Sequence, residues 1–125
     1  RQAMNIHNFW KAVLAQDAEK MRTYFKENAY VNWHCTKEHF SVEEYIRANC
    51  EYPGVWEGTI ERIEAMGDLT IVVVRVFASD QESSFHVVSF MHIEEGLISS
   101  LDEYWGDDGP APLWRREKKL GTVIK

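Results

Sequence analysis

Glu103 and Arg75 are the residues of this chain best placed to move a proton or hold a charge. In the stretch Leu97-Ile98-Ser99-Ser100-Leu101-Asp102-Glu103-Tyr104-Trp105, strand alternation puts Leu97, Ser99, Leu101, Glu103 and Trp105 on one face. Ile98, Ser100, Asp102 and Tyr104 fall on the other. A carboxylate among Leu and Trp is costly unless it is paired or used. Leu69 to Ala78 divides the same way, into Leu69, Ile71, Val73, Arg75 and Phe77 against Thr70, Val72, Val74, Val76 and Ala78. Arg75 is the one charge in a strand that is apolar on both faces. An isolated buried charge is strongly unfavourable, and Glu103 is its natural partner. The pair reads in two ways. It is a salt bridge that fixes strand register, or it lines a cavity where Arg75 polarises a substrate and Glu103 transfers a proton.

Other reactive side chains form weaker patterns. Trp33-His34-Cys35 with Glu38-His39 contains metal-binding residue types, but the spacing matches no established site, and His34 and Cys35 point to opposite sides of a strand. Cys35 with His34 or His39 lacks anything in the sequence to stabilise an oxyanion. His86 and His92 share a strand face with Val88 and Phe90, which reads as an outer surface able to meet a second subunit. Gly-rich phosphate loops, HExxH and GxSxG are absent. No metal or cofactor is expected.

The bulk composition narrows the class. The 125 residues suffice for one domain with a real core, and 45% apolar with 27% charged residues is ordinary for a globular chain. Aromatic residues make up 13%, including five Trp, which points to large rings lining a core or a cavity. A net charge of −6 argues against nucleic-acid binding, and the basic run Arg115-Arg116-Glu117-Lys118-Lys119 reads as a solvated segment. No apolar run is long enough to span a membrane. Cys35 and Cys50, with no secretory leader ahead of them, are expected to be reduced in a cytoplasmic protein. Met4 reads as the natural start, so the domain is expected over residues 4–125, with Arg1-Gln2-Ala3 outside it.

The elements that would position these residues follow from periodicity. Ile6, Phe9, Trp10, Val13 and Leu14 recur with helical spacing. Asp17 caps a second helix with Met21, Tyr24 and Phe25 on its apolar side. Ala29 to Cys35 reads as a strand. Ser41-Val42-Glu43-Glu44 has capping-box spacing, and its helix buries Val42, Tyr45 and Ile46 before Pro53-Gly54. The period then changes to two. Strands are expected over 55–66, 69–78, 85–93 and from Leu97 onward, separated by Gly67-Asp68, Ser79-Asp80-Gln81-Glu82 and Glu94-Glu95-Gly96. Helices followed by an antiparallel meander make an α+β fold.

That order, with Asn28-Ala29-Tyr30-Val31-Asn32-Trp33 and Ile98-Ser99-Ser100-Leu101-Asp102-Glu103-Tyr104-Trp105, resembles the nuclear transport factor 2-like superfamily, in its SnoaL-like branch of small bacterial proteins. The resemblance spans Met4 to about Arg116. It implies a cone-shaped curved antiparallel sheet wrapped around N-terminal helices, a long one among them, an apolar pocket, and dimerisation through the outer sheet face. Family enzymes include ketosteroid isomerase, limonene epoxide hydrolase, scytalone dehydratase and polyketide cyclases, while other members only bind, so the fold leaves the function open. Glu103 matches a catalytic aspartate of the epoxide hydrolase and Arg75 its strand arginine. Phe77 stands where that enzyme has its second aspartate. Trp33 stands where the isomerase keeps its proton-abstracting aspartate, and Ser89 lies near its second one. Trp105 matches a pocket-lining aromatic. No known activity carries over intact.

The expectation is therefore a homodimeric domain holding a small apolar or carbonyl-bearing molecule. Trp33, Val73, Phe85, Val87, Leu101 and Trp105 would line the pocket, with Tyr24, Tyr45 and Trp56 at its helical side or mouth. As an enzyme it would be a cofactor-free lyase, isomerase or cyclase with Glu103 as general base and Arg75 holding an enolate oxygen. The alternative is a non-catalytic binding or dimeric interaction protein with a structural Arg75–Glu103 bridge.

Overall fold

A computed structural model describes residues 4–125; Arg1–Ala3 lie outside the described residues. Helix α1 spans Ile6–Leu14, capped by the Asn5 side chain, and buries Ile6, Phe9, Trp10, Ala12 and Val13 along one face. Helix α2, Ala18–Arg22, is capped by Asp17 as its sequence implies. It ends before Tyr24, because Phe25 already starts strand β1, Phe25–Trp33. The strand thus begins four residues earlier than its β-formers suggested, with Phe25 pinned against Phe9 and Tyr45. A short strand β2, Glu38–Ser41, folds back on β1 and is not legible from periodicity. Helix α3, Val42–Cys50, opens with the expected capping box: Ser41 Oγ accepts from the Glu44 N–H, and Glu44 accepts from the Ser41 N–H.

The meander follows as β3 Trp56–Met66, β4 Leu69–Ala78, β5 Ser84–Glu94 and β6 Leu97–Asp107. Gly67, at φ +59°, turns β3 into β4, and Glu95 and Gly96, both at positive φ, turn β5 into β6. A short helix α4, Leu113–Glu117, lies on the basic run near the C-terminus. The six strands form one curved, unclosed sheet in the order β2-β1-β6-β5-β4-β3. β1 runs parallel to β6, and every other pairing is antiparallel. The helices that pack on the inner face are short rather than one long helix. Between sheet and helices lies the core, including Phe9, Trp10, Met21, Tyr45, Val72, Val74, Val87, Met91 and Leu101.

Two sheet details correct the face assignments made from simple alternation. A bulge at Ser99 leaves Ile98 opposite Ile93 and Ser100 opposite His92. Ile98 therefore shares the inner face with Leu101, Glu103 and Trp105, and is fully buried. On β4 the inner face is Thr70, Val72, Val74 and Val76, whereas Val73 and Arg75 lie on the outer one. Val73 is therefore not a pocket residue.

Candidate functional site

The register of three central strands assembles a buried row. Trp33 on β1 pairs with Glu103 on β6, and Glu103 pairs with Ser89 on β5. All three side chains sit on the inner face, where Glu103 is only 1% exposed. Trp33 Nε1 donates to Glu103 Oε1 over 3.1 Å, and Ser89 Oγ donates to Oε2 over 2.6 Å. The Trp105 indole N–H closes no hydrogen bond of ordinary geometry, yet it also favours the charged carboxylate. Burial outweighs these donors and pushes the Glu103 carboxyl from 4.5 up to about 7. Burial also drives the Tyr45 hydroxyl well above its ordinary value, helped by the nearby Glu103.

Arg75 does not meet Glu103. It pairs in register with His86 on the outer face, 3.9 Å from Asp108 and stacked at 4.7 Å over Phe77. His86 bridges Asp108 and Glu61 there, and Ser84 Oγ donates to Asp108. The hydrogen bond that His86 donates to Asp108 raises the His86 pKa, against a smaller opposing effect of burial. The supposed buried ion pair is thus two separate arrangements on opposite faces of the sheet. The acid of the first is compensated by neutral donors rather than by a cation.

A cleft of about 330 Å³ opens between the inner face and the helices. Of the residues assigned to a pocket from the sequence, Trp33, Trp56, Phe85 and Trp105 line it. Tyr45, Val87 and Leu101 are buried core and do not, and Tyr24 packs on Phe9 instead. Trp10, Val13, Leu14, Gln16, Asn49, Tyr52, Val76 and Asp107 line it without having been foreseen. Trp10, Val13 and Leu14 read from the sequence as the apolar side of a helix, and Val76 falls on the strand face opposite Val73, which was the one assigned to the pocket. Asp107 was legible: it continues the alternation from Glu103 through Trp105. Glu103 itself is not a lining residue, although its neighbours Trp33 and Trp105 are.

His34 bonds Asp102 across 2.6 Å and His39 bonds Asn32 across 2.7 Å, a polar network on the outer face. Among the described residues no group of three or more His, Cys, Asp or Glu is placed to hold a metal ion. Cys35 and Cys50 are both free thiols. No helix among the described residues is long and apolar enough to cross a membrane.

Comparison with known proteins places this architecture. The SnoaL-like domain family matches residues 6–101, and the chain belongs to that family. No curated protein matches it. Among solved structures it is similar to a candidate ketosteroid isomerase from Kribbella flavida, with a TM-score of 0.77 and 22% identity over 95% of this chain and 86% of that one. An NTF-2 like protein of unknown function from Burkholderia xenovorans superposes with a TM-score of 0.76 and 20% identity, over 96% and 92% of the two chains. A hypothetical protein with a ketosteroid isomerase-like fold from Catenulispora acidiphila, solved in complex with trimethylamine, gives 0.67 and 12% over 82% and 86%. At these identities the likeness is one of fold.

Proposed function

We propose that this chain is a small-molecule-binding domain whose ligand, small and apolar or carbonyl-bearing, occupies the cleft between the inner sheet face and the helices. The observation that carries the reading is the cleft itself. Its volume of about 330 Å³ falls in the range of ligand sites, and aromatic rings dominate its wall. Reduced Cys35 and Cys50 and a cytoplasmic setting accompany the proposal, as does the absence of any cofactor requirement.

A catalytic reading draws support from one feature, the Glu103 carboxyl held at about 7, near the value a general base needs. A base must also reach its substrate. Both Glu103 oxygens accept from within the sheet and the side chain does not line the cleft, which favours binding over catalysis.

Self-association completes the proposal. Val73, Val88 and Tyr104 form one cross-strand row on the outer face, with Phe90 edge-on to Tyr104 at 5.9 Å. A second copy of the chain is the expected partner for that row, and a monomer in sedimentation at micromolar concentration would contradict it.

A thermal-shift screen of small apolar and carbonyl compounds tests the ligand site. Ala48 lines the cleft from α3, so Ala48→Trp should occlude it. Compounds that raise the Tm of the wild type should leave that of Ala48→Trp unmoved, because only a folded state with an open site is stabilised by mass action. Equal shifts in both proteins, or none in either, would refute the site.

A further inference from the structure

The cleft wall also selects for charge, given the reading of the cleft as a ligand site. Five rings run along it in a chain of contacts, the first two edge to face and the last two tilted: Trp33 to Trp105 at 6.4 Å, Trp105 to Phe85 at 5.0 Å, Phe85 to Trp56 at 5.3 Å and Trp56 to Tyr52 at 5.5 Å. The planes turn by 75° and 68° at the first two contacts, so these rings adjoin as walls rather than stacking face on face. Adjoining aromatic walls hold positive charge through the ring quadrupoles, best with Trp. Trp33 is further enriched for this role, since donating its N–H to the Glu103 carboxyl pushes electron density into the indole.

The polar groups point the same way. Both protons of the Gln16 amide go to the Asn49 and Tyr52 carbonyls, and the Asn49 amide donates to the Val13 carbonyl. Cys35 donates to the Trp105 carbonyl, Thr36 to Glu38, and Trp56 to the Pro53 carbonyl. These donors are committed to the protein, and the Trp10 and Trp105 indole N–H groups, which close no hydrogen bond of ordinary geometry, are buried out of reach, so an anionic ligand would be offered none of them. Among the described residues no lysine or arginine lines the cleft. Its one carboxylate, Asp107, lies on the inner face two residues beyond Trp105 and makes no ion pair or side-chain hydrogen bond among the described residues. The net charge of −6 adds a field that concentrates cations.

We propose that the cleft binds a small organic cation, a tertiary or quaternary ammonium group seated against Trp33, Trp56, Phe85 and Trp105 with its charge balanced by Asp107. Calorimetric titration with choline and with 3,3-dimethylbutan-1-ol tests this, because the two share a shape and differ in charge. Choline should bind about tenfold more tightly, the equivalent of one good cation–aromatic contact. Asp107→Asn should weaken choline several-fold and leave the alcohol unchanged. Equal affinity for the alcohol would overturn the cation while leaving the cleft a ligand site. So would failure of choline to bind where apolar compounds from the thermal screen do. If no compound of any kind binds, the cleft reading and the cation fall together.

Discussion

Trp33 donates its indole N–H to Glu103 across the one parallel strand pair among the described residues. One relationship of register explains how a carboxyl can sit fully buried without a cation. Two neutral donors, one from each flanking strand, take the two oxygens, and the acid remains partly protonated near neutral pH.

The buried carboxyl leaves a signature in stability. Its folded-state pKa of about 7 lies above the ordinary 4.5, so the folded chain holds a proton that the unfolded chain has already released. Stability from this group is fully present below pH 4.5, declines as pH rises toward about 7, and is flat beyond. The loss amounts to roughly 3 kcal/mol at 1.4 kcal/mol per pH unit. The stability difference between wild type and Glu103→Gln, from urea unfolding between pH 4 and 9, should show this slope. A difference independent of pH contradicts it.

Trp33→Phe keeps a ring at the cleft and removes the donor. The orphaned carboxyl oxygen should cost about 1–3 kcal/mol, more at pH 8, where Glu103 is charged, than at pH 5. Urea unfolding at the two pH values measures it. An equal cost at both would mean that the bond does not discriminate the charged form.

Arg75→Ala should leave ligand affinity at the cleft unchanged, since Arg75 lies on the opposite face beside Asp108. Its ion pair is about one-third exposed and 3.9 Å long, so the stability change should stay below about 1 kcal/mol. Titration of any cleft ligand into this variant provides the check, and a large loss of affinity would reinstate a role for Arg75.

His86 should contribute in a pH-dependent way. Its pKa is raised by Asp108, so its stabilisation is complete below the ordinary value of 6.5 and is lost as pH climbs through the higher folded value. The site is largely solvated, which holds the effect under about 1 kcal/mol. His86→Ala should remove this slope in thermal unfolding between pH 6 and 8. An unchanged profile would show that the carboxylates flanking His86 do not bind its proton more tightly in the folded chain.

Most of the element order was legible because caps and turns are local signals. Asp17, the Ser41–Glu44 box and the Gly67 turn each determine structure within four residues of themselves. What escaped was non-local. Strand β2 exists because β1 offers it an edge, and its four residues carry little pattern of their own. The Ser99 bulge moved Ile98 inward, which alternation cannot anticipate. Arg75 was misplaced because β4 is apolar on both faces, so composition does not say which is inward. The hairpin register contained the answer: Arg75 lies opposite His86, and His86 was already assigned to the outer face. Glu103 was recognised as buried, but its compensation by Trp33 depends on a parallel pairing between strands 70 residues apart, while Ser89 reaches it from the adjacent antiparallel strand.

The central claim is that small molecules bind in the cleft, and methyl NMR tests it most directly. Val13, Leu14 and Val76 line the cleft, whereas Ile71, Val73 and Val88 lie on the outer sheet face. During titration with a compound that raises the Tm, the first three should shift in a saturable manner while the second three stay fixed. Shifts confined to the outer face, or spread equally over both sets, would contradict the account.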